Sequence, residues 1–433
     1  MINIVYIFRT IGGLTPLHDA SDQGQFEICE FIVNNIDDKN PAVGNGNGWT
    51  PLHFAAGGGH LAIYKLISQH VPDKNPKRFF CGKTPLHEAA IDGQFEIVRF
   101  IVSTVNEINP RDDCGWTPLH AAAMHGYSDI YEFLLERVQD KNPTDNAGKT
   151  PLHEALIKDQ IEIFRIAYKL GLNQNPGNTA NGFGETFLDL AAQNNQAEIF
   201  RLIIENENLE KSLEGFVGEL LLHQALYFCA VDVSKIILGY VRNKNPVRMV
   251  SALHVAAMNG LLDIYKYISE RVVNQNPRTE KSRRTPLHSA VDSGHLELCK
   301  YIIEVNGGAN LGDSIGNTPL HHAIQLGDRK EIAKVIIEKA ANKNPENHLG
   351  VTPLHLAAKY DYFDVAKIII QNDGYANPRE NEGGMTPLHI AALNKNENIY
   401  RLIFDNVLEK YPRNRHGKTP ADYLHEDIEQ MFI

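Results

Sequence analysis

The stretch Gly115-Trp116-Thr117-Pro118-Leu119-His120-Ala121-Ala122-Ala123-Met124-His125-Gly126 spells out a short helix with both ends marked. Threonine is a good N-cap, and proline fits the first helical position, where its missing N–H costs no bond. Leu119 then points to a core, and the small alanines let a neighbouring helix pack closely. Gly126 is free to take the left-handed backbone that stops a helix. A second apolar helix follows; in the block after Thr84 its stripe is Ile97, Val98, Ile101 and Val102, at helical spacing. One unit is therefore helix, tight turn, helix and polar loop. Such a unit cannot bury its apolar face alone and must stack on neighbours.

The block returns along the chain. Literal Thr-Pro-Leu-His begins at Thr15, Thr50, Thr84, Thr117, Thr150, Thr285, Thr318, Thr352 and Thr386, and worn copies begin at Thr186, Leu220, Ser251 and Thr419. That makes thirteen copies spaced 31 to 36 residues apart. The stop position is held by glycine in most copies and by Asp159, Asn195 or Asp361 in others; Asn and Asp tolerate left-handed backbone best after glycine. A second signature, Asn-Pro, marks the loops at Asn40, Asn75, Asn109, Asn142, Asn175, Asn245, Asn276, Asn344 and Asn377. Proline there removes an N–H and holds the asparagine extended.

This period and this motif are those of ankyrin repeats, and the chain resembles the ankyrin-repeat family over nearly its whole length. The resemblance implies an all-α fold, a right-handed curved solenoid of stacked helix-turn-helix units with hairpin loops. Residues 15–433 are expected to form thirteen repeats, degenerate at about 186–271 and closed by a short polar capping repeat at 419–433. Residues 1–14 read as an irregular lead, either a fold-back cap or a truncated repeat.

Eleven of the 19 histidines stand at the fourth motif position. A recurrent place of this kind is expected to serve the fold through hydrogen bonds to neighbouring backbone. A metal ladder would need several ligands at one point, whereas stacked helices space them roughly 8–10 Å apart. His87-Glu88 and His153-Glu154 start like a zinc-protease motif, but Ile91 and Ile157 stand where the second histidine belongs. The net charge of −11 argues against nucleic acid. No run of 18 apolar residues occurs, so no membrane insertion is expected. Five scattered cysteines fit a reducing, intracellular and cytoplasmic setting. No Walker loop, serine elbow or kinase signature is present, so no cofactor, small-molecule substrate or catalytic residue is expected.

What remains is a scaffold for protein–protein interaction. The resemblance implies contacts through loop tips and first helices on the concave face. The candidate partner-binding residues are the loop-tip aromatics Trp49, Phe79, Phe80, Trp116 and Phe183, with Phe54, Glu88 and Glu154 from the variable place after the motif histidine. Exposed aromatics are favoured anchors, and the two glutamates are expected to steer a basic partner. The alternative is an adaptor or substrate-recognition subunit of a larger assembly, and the resemblance implies hydroxylation of loop asparagines; the proline after each departs from the usual alanine.

Overall fold

The computed structural model describes residues 13–42, 47–170, 172, 186–246, 251–373 and 377–424, so the lead segment and the end of the final copy lie outside the described residues. Among the described residues the chain is a succession of paired short helices with no β-sheet, an all-α repeat solenoid. It divides into two compact units, Met1–Lys211 and Ser212–Ile433.

In the first unit, the first helices are Pro16–Asp22, Pro51–Gly57, Pro85–Ile91, Pro118–His125, Pro151–Ile157 and Phe187–Gln193. Each stacks on the next, and the second helices, from Phe26–Asn35 to Ala197–Glu207, stack behind them. The motif leucines and alanines, such as Leu52, Ala55 and Ala56, are fully buried, as are Ile63, Tyr64 and Ile67 from the second helix. Removing one such Leu or Ile side chain from water is worth about 1.5–3 kcal/mol.

The motif histidines hold the repeats together. In the helix Pro85–Ile91, Nδ1 of His87 accepts from the Thr84 amide at 3.1 Å and from the Thr84 hydroxyl at 3.0 Å. This is a capping box with histidine in the place usual for Glu or Gln. Because Nδ1 carries the lone pair, Nε2 carries the hydrogen, which is donated to the Trp116 carbonyl of the next repeat at 3.1 Å. The same bridge runs from His18 to Trp49, His53 to Lys83, His120 to Lys149, His288 to Asn317, His321 to Val351, His355 to Met385 and His389 to Lys418, at 3.0–3.2 Å. The histidines are thus engaged with backbone, as the sequence reading expected.

A second strut crosses at the turn. Gly93 has φ +74°, and a Cβ there would lie 2.6 Å from the Tyr127 ring. The residue after this left-handed stop reaches back to the end of the preceding first helix. Gln94 donates to the Gly57 carbonyl at 3.1 Å, His295 to Met258 at 3.0 Å and Asn396 to Ala358 at 2.7 Å. These bonds satisfy carbonyls that a helix end leaves unpaired.

The Asn-Pro loops are connectors of a kind the two-residue signature did not reveal. Asn75 Oδ1 accepts from the Leu86 amide at 2.9 Å, and Asn40, Asn109, Asn245 and Asn344 do the same for Leu52, Leu119, Leu253 and Leu354. The preceding lysine turns the other way: Lys343 Nζ donates to the Ile337 carbonyl at 2.6 Å, and Lys244 to Leu238 at 2.6 Å, at the ends of their second helices. Asp38, Asp73 and Asp140 close the turn by accepting from the asparagine amide two residues on. One tetrapeptide therefore ends one helix and starts the next.

The second unit stacks its first helices from Phe216–Tyr227 through Ala252–Met258, Pro286–Ser293, Pro319–Gln325 and Pro353–Tyr360 to Pro387–Leu393. The worn copy at Leu220 does not begin where its motif register places it. With no Thr-Pro to start a helix at Leu221, Phe216–Tyr227 begins five residues earlier and runs for 12. It shows Phe216, Val217 and Tyr227 to solvent. Cys229 occupies the glycine place with φ +58°, as Lys395 does later. The second helix Leu296–Tyr301 passes into a π turn, Ile302–Asn306, and the Asn306 carbonyl there accepts from Asn276 at 2.8 Å. Cys29 and Cys299 are fully buried core residues, as expected.

Burial holds the His53 ring down to about 3 and those of His87, His120, His288, His321 and His355 down to about 4. Below the ordinary value of about 6.5 the unfolded chain binds more protons than the folded one. The stabilisation is therefore complete above about pH 6.5 and is lost as the pH falls toward 4, by up to about 1.4 kcal/mol per histidine per pH unit. Melting curves at pH 7, 6 and 5 should show a progressively lower midpoint, and a constant one would refute the neutral-imidazole bridge. At the turns, Cys229→Gly should stabilise the second unit by about 0.5–1 kcal/mol. Gly93→Ala should destabilise the first by at least about 1 kcal/mol. Chemical denaturation of the two variants reads the opposite signs.

Candidate partner-binding face

The hairpin tips and first helices of the first unit form one side of its stack. The hairpin of repeat three is a tight turn: Arg78 donates its amide to the Lys83 carbonyl at 2.8 Å, and Gly82 to the Arg78 carbonyl at 3.0 Å. Neighbouring tips are tied by backbone bonds, Asp113 to Cys81 at 3.0 Å and Asn146 to Cys114 at 2.9 Å. The tips therefore hold a fixed spacing, one per repeat.

The structure brings five of the candidate residues into one patch across repeats two and three. Trp49 stacks on Phe54 with ring centroids 4.9 Å apart. The Arg78 guanidinium lies 3.8 Å from the Trp49 ring centroid, close enough for a cation–π contact. Arg78 also donates to Glu88 at 2.9 Å. It thereby links the hairpin of repeat two to the first helix of repeat three. Phe79 packs against Gly48, where a Cβ would meet the Phe79 ring at 2.8 Å. Phe79 and Phe80 are 74% and 73% exposed. Trp49 and Phe54 are half-buried.

Trp116 stands one repeat further on. Its ring stacks on His120 at 6.1 Å and has the Lys83 ammonium 5.9 Å from its centroid. Its amide donates to Asp112 Oδ1 at 2.8 Å, and its carbonyl receives the His87 bridge. Like Trp49 it is half-buried, so each tryptophan covers its hairpin while showing one edge. Phe183 lies outside the described residues.

The expectation that Glu88 and Glu154 stand free to steer a basic partner is corrected. Both are buried, at 7% and 6% exposure. Glu88 is paired with Arg78, and Glu154 with Lys149 at 3.5 Å. The hairpin folds over the first turn of the helix, so the place after the motif histidine faces the hairpin rather than solvent. Burial pushes the Glu88 carboxyl up, against the pull of Arg78. Arg78 itself escaped the sequence reading. Its signal was a basic residue six before the motif threonine, which becomes meaningful only once the turn sets it over Trp49.

A family model described as ankyrin repeats, three copies, matches residues 17–112, 66–145, 104–177, 253–347 and 330–414. No curated protein matches the chain. The stretch between the matches, 178–252, contains the copies at Thr186, Leu220 and Ser251, where the motif wears down. Ankyrin repeats generally mediate protein–protein interaction, and the family is typically non-enzymatic. With the motif, the paired helices and the histidine bridges all in register with these matches, the chain belongs to the ankyrin-repeat family.

Proposed function

We propose that the chain is a non-enzymatic scaffold that binds a partner protein through the hairpin tips and first helices of repeats two to four, on the side expected to be concave. The observation that carries this reading is the pair Phe79 and Phe80, about three-quarters exposed at the tip of a pinned hairpin. They stand beside a wall of Trp49, Phe54 and Arg78. Large exposed aromatics on a preorganised support are what a binding hot spot requires, since little ordering remains to oppose association. Trp49 and Phe54 belong to that wall, and Trp116 extends it by one repeat.

Within a larger assembly the same face would serve an adaptor that recognises substrates. Asn40, Asn75, Asn109, Asn245 and Asn344 act first as caps, their Oδ1 atoms already bonded to the following helix; hydroxylation there stays secondary to that role. All five cysteines are free, which suits the reducing, intracellular setting proposed for the chain. No helix among the described residues is long and apolar enough to cross a membrane.

The test is affinity for a purified partner recovered with the intact chain, measured beside thermal melting. Phe79→Ala with Phe80→Ala should weaken binding by about 2 kcal/mol or more and leave melting unchanged, because neither ring is core. Arg78→Ala should instead destabilise the fold by about 3 kcal/mol, since Glu88 is left buried without its partner. Adding Glu88→Gln should recover part of that loss. Full affinity in the double phenylalanine variant would move the binding face elsewhere. Trp49→Ala and Trp116→Ala are expected to lower both affinity and melting; normal binding with early melting would make them hairpin packing alone.

A further inference from the structure

We propose that the hairpin of repeat nine, residues 279–284, is a docking point for an acidic peptide segment of a protein partner, with Lys281 and Arg283 pairing its carboxylates. This site lies in the second unit and stands on residues separate from the aromatic face.

The first observation is a backbone outlier. Thr279 donates its amide to the Arg284 carbonyl at 3.0 Å, and Arg283 to the Thr279 carbonyl at 3.0 Å. This is the same six-residue turn as Arg78 to Lys83 in repeat three. The turn needs a left-handed residue at its fifth place. Gly82 supplies it with φ +66°, and Gly384 does so in repeat twelve with φ +67°. Repeat nine has Arg283 there, at φ +52°. Among the described residues it is the one non-glycine with left-handed backbone in a hairpin. An L-residue is strained in that conformation, and such strain gathers where a side chain has work to do. For folding alone, glycine would serve better.

The second observation is charge. Arg278, Lys281 and Arg283 are exposed within six residues, against the single carboxylate of Glu280, on a chain of net charge −11. The nearby acids are spent internally. Asp292 is held by Arg284 at 2.9 Å and by His322 Nδ1 at 3.0 Å, and Asp313 by His322 Nε2 at 3.2 Å. Arg278 donates to the Gly312 carbonyl at 2.7 Å. Lys281 and Arg283 make no ion pair among the described residues. The tip is also rigid: Thr279 and Ser282 hydroxyls lie 2.7 Å apart, and the Ser282 carbonyl accepts from Ser314 of the next hairpin at 2.8 Å. A pair of exposed cations on a pinned turn, outnumbering Glu280, complements a short run of carboxylates. Two such cations match a short carboxylate run, whereas nucleic acid binding draws on many more Lys and Arg contacts along its phosphates.

The experiment uses the full chain and a fluorescent octaglutamate peptide, with a neutral Gly-Ser octapeptide and a single-stranded oligonucleotide of equal charge as comparisons. The peptide should bind at low ionic strength and release as salt is raised. Arg283→Gly should weaken binding at least three-fold while melting stays level or rises, Lys281→Ala should weaken it similarly, and the double variant should abolish it. Arg415→Ala, in the hairpin before Thr419, which also carries Arg413 and Lys418, should change nothing. The proposal is overturned if octaglutamate binds no better than the neutral peptide, or if Arg283→Gly binds normally. It is equally overturned if that variant melts lower, if Arg415→Ala weakens binding as much, or if the oligonucleotide binds as tightly as the peptide.

Discussion

The structure depends on a neutral imidazole with a donor side and an acceptor side. In eight of the nine literal copies Nδ1 accepts from the threonine that starts its own helix, and Nε2–H is donated to the carbonyl before the threonine of the next. No other side chain at that place does both. The worn copies show the difference. At Thr186 an aspartate replaces histidine, and its Oδ2 accepts from the Thr186 amide at 2.9 Å and hydroxyl at 2.7 Å. The cap survives, but a carboxylate is acceptor-only and cannot donate to a neighbour's carbonyl. That copy is the last of the first unit. Thr419 and Asp422 repeat the same cap at the other end of the second.

The bridge also separates what must stay constant from what is free to vary. It uses the threonine, the histidine and the backbone of the residue before the next threonine, and it leaves that residue's side chain unconstrained. Trp49, Lys83, Trp116, Lys149, Arg284, Asn317, Val351, Met385 and Lys418 all present the same carbonyl. Each brings a different surface to its hairpin. Tips diversify over an invariant backbone ladder, which is how a rigid solenoid offers many chemistries at fixed spacing. The aromatic patch around Trp49 and the basic turn at Arg283 are two such outcomes.

Much of this was legible beforehand. The helix starts, the left-handed stops and the structural role of the histidines follow from local rules, because each is decided within a few residues of chain. Asp159, Asn195 and Asp361 take left-handed backbone where glycine is missing, as their short polar side chains permit. The connectors were only half legible. Asn-Pro was visible, but the asparagine binds a leucine amide 8 to 12 residues later, and the lysine binds carbonyls of the previous helix. Neither partner is marked by a side chain.

Sequence alone determined the repeat, its period, its all-helical character and the family, since these rest on capping, periodicity and small-residue spacing that need no long-range contact. Tertiary structure decided which candidate residues face a partner. Phe79 and Phe80 remain exposed, while Glu88 and Glu154 are drawn under their hairpins into ion pairs with Arg78 and Lys149. The reason is geometric. A hairpin that folds back over a helix turns the place after the motif histidine inward. Whether a charge there meets water or a counter-ion depends on the residue that the next turn of chain carries past it.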